Sequence, residues 1–212
     1  MAPPDIREII ARAIAQEQRT HTLRNRLAAN IDDLRCQLEL PEEAPAEALI
    51  EFISQYIESV PGCISLVTAV SKQLGFHEYA APFLHIAEDY FLQPPEDIPE
   101  TGGLALLLDE AFLAHRLLEE VNDHHIRHVQ RPLLPVDMTE ANIIAHYLLG
   151  EPLANRLEQL VQFTANRLLE KEHVWDKVRD IPGTGTLPSM VIDSRSLICS
   201  SKGVRLRLTP AS

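Results

Sequence analysis

Residues 104–129 read LALLLDEAFLAHRLLEEVNDHHIRHV, and their periodicity is that of one long helix. Alternating steps of four and three residues place a set of side chains on a single face of an α-helix. That stripe consists of Leu104, Leu108, Ala111, His115, Leu118, Asn122, His125 and Val129. The opposite row, which is expected to face solvent, consists of Ala105, Asp109, Phe112, Arg116, Glu119 and Asp123. The segment therefore predicts a long helix with one buried face.

Three polar residues interrupt this apolar stripe. His115, Asn122 and His125 occupy positions where leucine is expected, and His128 lies in the neighbouring row. A buried polar group without a hydrogen-bond partner costs about 1–3 kcal/mol. Each of these side chains is therefore expected to have a partner inside the protein.

One candidate partner is a transition metal, either iron or zinc. Helical bundles build such sites from inward-facing histidines and carboxylates. His115 and Glu119 are four residues apart and can converge on one ion. The predicted ligands are His115, His125 and Glu119, completed by a carboxylate from another helix. The chain has no His-Glu-x-x-His motif, and a closed zinc site needs about four ligands, which one helix does not usually supply.

The alternative is a structural role for the same residues. Histidines in the last turns of a helix interact favourably with the negative end of its dipole. An asparagine within an apolar stripe can fix the register of helices or the pairing of subunits. Asn122 and His128 are accordingly predicted as register or interface residues. The absence of a metal-binding motif favours the structural role. The sequence alone leaves both the metal site and the structural role open.

Helical patterns also occupy most of the remaining chain. The N-terminal pattern extends to Leu38 and stops at Pro41, as one long helix with a weak middle or as two helices. Asp137, with Glu140 three residues later, is typical of a helix start, and Gly150 of a helix end. Further helices are predicted at about 46–60, 64–74, 77–92 and 152–175.

The character of the sequence changes after Asp180. Residues 181–188 are rich in proline and glycine, and Met190–Ile198 and Val204–Leu208 have the composition of strands. The sequence therefore predicts an all-α fold. It consists of a single helical bundle of about six or seven helices over residues 1–180, followed by a loop and a short C-terminal β-hairpin over 181–212. Residues 93–103, rich in proline and acidic side chains, form the one candidate internal break.

Composition narrows the range of partners. The 212 residues carry a formal net charge of −12, which argues against nucleic acid and against anionic membranes. Cys36, Cys63 and Cys199 have no metal-binding spacing, which suits a reducing compartment. No signal peptide or membrane-spanning run is apparent. We expect a cytoplasmic protein that binds neither nucleic acid nor membranes.

The function itself is predicted only in outline. The amphipathic N-terminal segment, the polar insertions in the apolar stripe and a hairpin without its own sheet favour a non-enzymatic protein that acts through protein–protein interaction, as a homodimer. The alternative is a metal-binding helical-bundle protein or a metal-dependent enzyme that uses inward-facing histidines. A third hypothesis is an apolar ligand pocket lined by Phe83, Tyr90, Phe112 and Phe163.

Overall fold

The computed structural model describes residues 5–75, 77–92, 103–130, 132–133, 137–169 and 203–207. These residues form eight helices and one two-stranded sheet, which confirms the all-α fold. In chain order the elements are α1 Ile6–Thr20, α2 Thr22–Ala29, α3 Ile31–Gln37, β1 Leu38–Glu39, α4 Pro45–Gln73, α5 His77–Leu92, α6 Gly103–Val129, α7 Thr139–Leu149, α8 Glu151–Leu169 and β2 Arg205–Leu206.

Helix α6 is the central helix of the bundle, because it packs against α1, α4, α5, α7 and α8. The predicted stripe is buried from Leu104 to Leu118 and at His125, whereas Asn122 is half-buried and the side chain of Val129 falls outside the described residues. Residues outside the stripe are buried too, among them Leu107, Leu113, Leu117 and Val121. In the row that was expected to face solvent, Asp123 is exposed and Phe112 is fully buried, while the other four residues are half-buried. The expectation was wrong for Phe112 because neighbouring helices surround α6 on more than one side. A helix that is apolar around most of its circumference belongs inside the bundle.

The N-terminal segment forms three short helices in place of the predicted one or two. The chain turns at His21, whose φ of 51° is left-handed, between α1 and α2. The buried carboxylate of Glu17 accepts hydrogen bonds from the backbone N–H groups of Leu23 and Arg24, at 3.1 and 2.9 Å. It thereby caps the free amides at the start of α2. Leu27 and other apolar residues of this segment belong to the main core.

Helix α4 runs without interruption through Pro61, where the sequence pattern predicted two helices. Proline removes one backbone donor and usually breaks or kinks a helix. Here the residues on both sides of it, such as Val60 and Ile64, are buried in the core. Tertiary packing on both sides outweighs the local preference for a break. Pro82 likewise lies inside α5.

The small sheet joins two distant parts of the chain. Leu38 pairs with Leu206 and Glu39 with Arg205, in antiparallel orientation. Leu38 was expected in a helix, but it is the fully buried first residue of β1. Strand β2 lies within the predicted strand Val204–Leu208, while its predicted hairpin partner Met190–Ile198 falls outside the described residues.

One hydrophobic core connects the elements before and after the candidate break at 93–103. Residues 93–102 and 170–202 fall outside the described residues, so the candidate break at 93–103 and the division into 1–180 and 181–212 remain predictions. Within the described ranges, no helix combines the length and the apolar character that crossing a membrane requires.

Candidate functional site

His115 is fully buried between α6 and α4. Its Nε2 donates a hydrogen bond of 3.0 Å to the carbonyl oxygen of Tyr56 and lies 3.0 Å from Oγ of Ser59. Burial lowers the pKa of the imidazole to about 4, against the opposing effect of the Tyr56 carbonyl. The ring is therefore neutral, and its Nδ1 has no hydrogen-bond partner. These contacts connect α6 to α4, which is a structural role for His115.

A chain of buried hydrogen bonds links α4, α7 and α6. The hydroxyl of Tyr56 donates to Oδ1 of Asn142 at 2.7 Å, and Nδ2 of Asn142 donates to Oε2 of Glu119 at 2.7 Å. Glu119 also forms an ion pair with Arg116 and accepts a 3.4 Å hydrogen bond from Thr139. Glu119 therefore takes part in a network between helices, although the sequence pattern placed it toward solvent.

Asn142 is the functional candidate that the sequence pattern missed. The pattern of Ala141, Ile144 and Leu148 put it outside the inner face of α7, yet its exposed fraction is only 4%. Both ends of its amide form hydrogen bonds. The oxygen accepts from the hydroxyl of Tyr56, and the nitrogen donates to Glu119. The available signal was its position directly beside Ala141, one of the residues that face the core.

The predicted metal ligands are not brought together as one set. His115 and His125 are ten residues apart on α6, which corresponds to about 15 Å along the helix axis. The oxygens of Glu119 and Nε2 of His115 already have protein partners. In the part of the chain that the structure describes, no group of three or more His, Cys, Asp or Glu side chains could hold a metal ion. The iron or zinc site therefore stays a prediction without support from these contacts.

The other polar residues of α6 make contacts near its C-terminal end. Oδ1 of Asn122 accepts a 2.7 Å hydrogen bond from the backbone N–H of Leu133, which ties the chain after α6 back onto the helix. The ring of His128 stacks on that of His124, with 6.4 Å between centroids. His125 is buried. A role of Asn122 or His128 at a subunit interface stays a prediction.

A charged cavity of about 330 Å³ opens between α6, α7 and α8. Its walls carry one guanidinium, three carboxylates, one imidazole and several neutral groups. The lining residues are Arg116, Glu119, Thr139, Asn142, Ile143, His146, Tyr147, Glu151 and Glu158. Oε1 of Glu158 lies 3.3 Å from Nδ1 of His146 and 3.8 Å from Nε of Arg116. This is the largest concentration of interacting charges that the described contacts contain.

Two acidic residues of α6 lie in desolvated surroundings. Burial raises the pKa of Glu110 to about 8, with the neighbouring charge of Asp109 as a second cause. Neither carboxylate oxygen of Glu110 has a hydrogen-bond partner. Burial also raises the pKa of Asp109 to about 6, and the charge of Arg26 opposes that shift. Asp109 lines another cleft, of about 620 Å³, between α6, the N-terminal helices and the connection from α7 to α8.

The hypothesis of an aromatic pocket is not supported by the placement of its residues. Phe83 and Phe112 are fully buried core residues, whereas Phe163 exposes 59% of its surface on α8. The side chain of Tyr90 falls outside the described residues. The aromatic side chains thus belong to different environments.

The outer face of α8 combines exposed apolar residues with polar ones, of which one is charged. Leu160 and Phe163 expose 40% and 59% of their surface. The exposed polar residues around them are Asn155, Arg156, Gln159, Gln162 and Asn166. Arg156 is therefore the one charged residue exposed between positions 155 and 166 of this acidic protein.

Comparison of the chain with protein-family models, with curated proteins and with solved structures finds no match.

Proposed function

We propose that this is a non-enzymatic protein that acts through protein–protein interaction and forms a homodimer through the outer face of α8. The observation that carries the proposal is the exposure of Leu160 and Phe163 on a face where Arg156 is the one exposed charged residue. Interface cores are depleted of charged residues and enriched in aromatic ones. The exposed residues between positions 155 and 166 have both properties, with Arg156 as their one charge and Phe163 as their aromatic ring.

A second copy of the chain is the occupant that charge favours. In a two-fold symmetric dimer the same patch meets itself, so any net charge on it is brought next to an equal charge. With a net charge of −12, most of this molecule's surface would repel its own copy. The outer face of α8 carries Arg156 as its one exposed charge, so two copies that meet through it repel each other less than they would through the acidic remainder of the surface.

Two sequence features that suggested self-association, the amphipathic N-terminal segment and the C-terminal strand, make their contacts within one chain. Apolar residues of α1 and α2, such as Ile10 and Leu23, pack in the core of the same molecule. Strand β2 is paired with β1 of the same chain. The proposal therefore rests on α8 and not on the N-terminal segment or the C-terminal strand.

Substitution of Leu160 by glutamate tests the proposal. Because the contact is symmetric, Leu160→Glu places two carboxylates in one apolar interface, and we expect light scattering to report single chains. Ile126→Glu changes an apolar residue of similar exposure on α6 and serves as the matched control. Gln159→Glu adds a charge on the same face without removing an apolar group, and it should weaken the dimer less. Equal masses for wild type and Leu160→Glu would contradict the proposal.

A further inference from the structure

The charged cavity between α6, α7 and α8 lies away from the outer face of α8. Glu158 and Leu160 are two residues apart, which turns them by about 200° around the helix axis. Glu158 lines the cavity, while Leu160 is exposed on the outer face. At about 330 Å³ the cavity is at the small end of the range of ligand sites. It can therefore hold a compact molecule independently of self-association.

The walls of this cavity carry an excess of negative charge. Glu119, Glu151 and Glu158 face one guanidinium, that of Arg116. Glu119 also contributes, together with Glu120 and after burial as the first cause, to the raised pKa of the nearby Asp123. A site with this balance attracts cations and disfavours anions.

The internal contacts decide which of these groups a ligand can reach. Arg116 is held by Glu119 through an ion pair and lies 3.8 Å from Glu158, so an anion would have to compete with two carboxylates. The oxygens of Glu119 already accept from Asn142 and Thr139. Both contacts of Glu158 are made by Oε1, which leaves Oε2 for a ligand. Glu151 is exposed in the first turn of α8.

The remaining walls suit a short carbon chain. Ile143 and Tyr147 line the cavity on the side of α7, and their exposed fractions are 39% and 36%. An aromatic ring also attracts a cation that lies over its face. A charge-assisted hydrogen bond to a carboxylate is stronger than a neutral one.

We propose that the cavity binds a small organic cation, a short aliphatic amine, with Glu158 and Glu151 as the carboxylates that pair with the ammonium groups and with Ile143 and Tyr147 against the carbon chain. Arg116 and Asn142 hold Glu119 in place at the inner wall. The proposed binding requires neither a metal ion nor a second copy of the chain.

Isothermal titration of the full chain with putrescine tests this assignment, with butanediol and succinate as neutral and anionic compounds of the same chain length. We expect saturable binding of putrescine alone. Glu158→Gln should weaken it at least tenfold, and Glu151→Gln should weaken it to a smaller extent. Glu43→Gln removes the same charge from an exposed residue outside the cavity and should leave the affinity unchanged.

Three results would overturn the assignment. The first is the absence of measurable putrescine binding, and the second is an equal affinity for succinate. The third is an equal loss of putrescine affinity in Glu158→Gln and Glu43→Gln, which would indicate attraction by the net charge of the molecule. Far-UV circular dichroism of Glu158→Gln establishes that the variant is folded. If that variant is unfolded, Glu151→Gln decides, and an affinity equal to that of wild type then counts against the site.

Discussion

The hydroxyl of Tyr56 on α4 donates a 2.7 Å hydrogen bond to the side-chain oxygen of Asn142 on α7, 86 residues later in the chain. The other end of the same amide donates to Glu119 on α6. One asparagine thus holds three helices in a fixed relation through buried contacts. A buried network of this kind stabilises the fold only while each member keeps its partner.

Removal of the Tyr56 hydroxyl tests this network. Tyr56→Phe leaves Oδ1 of the buried Asn142 without its donor, which should lower the free energy of unfolding by about 1–3 kcal/mol. Tyr147→Phe removes a hydroxyl from a partly exposed ring and should change it by less than about 0.5 kcal/mol. Urea denaturation measures both. Equal stabilities of the two variants would mean that the network contributes nothing.

His115 should make the fold sensitive to acid. The unfolded imidazole binds a proton below its ordinary pKa of 6.5, whereas the buried ring binds one only near pH 4. Protonation therefore favours the unfolded chain, and stability should fall as the pH decreases from 6.5 to 4, by about 1.4 kcal/mol per pH unit. The difference between wild type and His115→Phe, measured by urea denaturation at several pH values, isolates this contribution. The exposed His85 gives the control His85→Gln, which should keep the slope of wild type.

Glu110 should act in the opposite direction. Its pKa rises from 4.5 to about 8 in the folded protein, so the unfolded chain releases the proton first as the pH increases. Stability should fall between pH 4.5 and 8, with a slope of up to about 1.4 kcal/mol per pH unit. Glu110→Gln keeps the shape without the charge and should be close to wild type at pH 5 and more stable at pH 8.

Thermal melting across this pH range checks the Glu110 prediction. The exposed Glu78 supplies the control, and Glu78→Gln should follow the wild-type curve at every pH. Parallel curves for Glu110→Gln and wild type would show that Glu110 is not the group responsible.

The cap of α2 provides a prediction about local structure. Glu17→Ala removes the acceptor of two backbone N–H groups and should cost about 1–2 kcal/mol. Gln18→Ala, one residue further along α1, is the control, since Gln18 is exposed. Chemical denaturation of both variants checks the difference, and a neutral effect of Glu17→Ala would exclude the cap as a source of stability.

The long-range pairings explain why only part of the fold could be predicted. The stripe from Leu104 to Val129 predicts α6 because burial repeats with the helical period. Leu38 fits the same period in the preceding segment, yet it forms β1 because β2 pairs with it from a position more than 160 residues later. No local pattern contains that partner. At Pro61 the local pattern predicted a break between two helices. The structure has one continuous helix there, because the packing of α4 outweighs the local preference of proline.

The same reasoning applies to the site. Burial of His115 follows from its place in an apolar stripe, and the structure confirms it. Its partner could not be predicted, because the Tyr56 carbonyl becomes available only once α4 lies against α6. Asn142 was missed because its burial depends on how α7 crosses two other helices. The pattern of a single helix contains no information on that crossing.

Sedimentation equilibrium of the full-length chain, over a wide range of concentration, tests self-association through α8 most directly. A mass that approaches twice that of one chain, and that returns to one chain in Leu160→Glu, is the predicted result. A mass of one chain for the wild type at the highest concentration would contradict it.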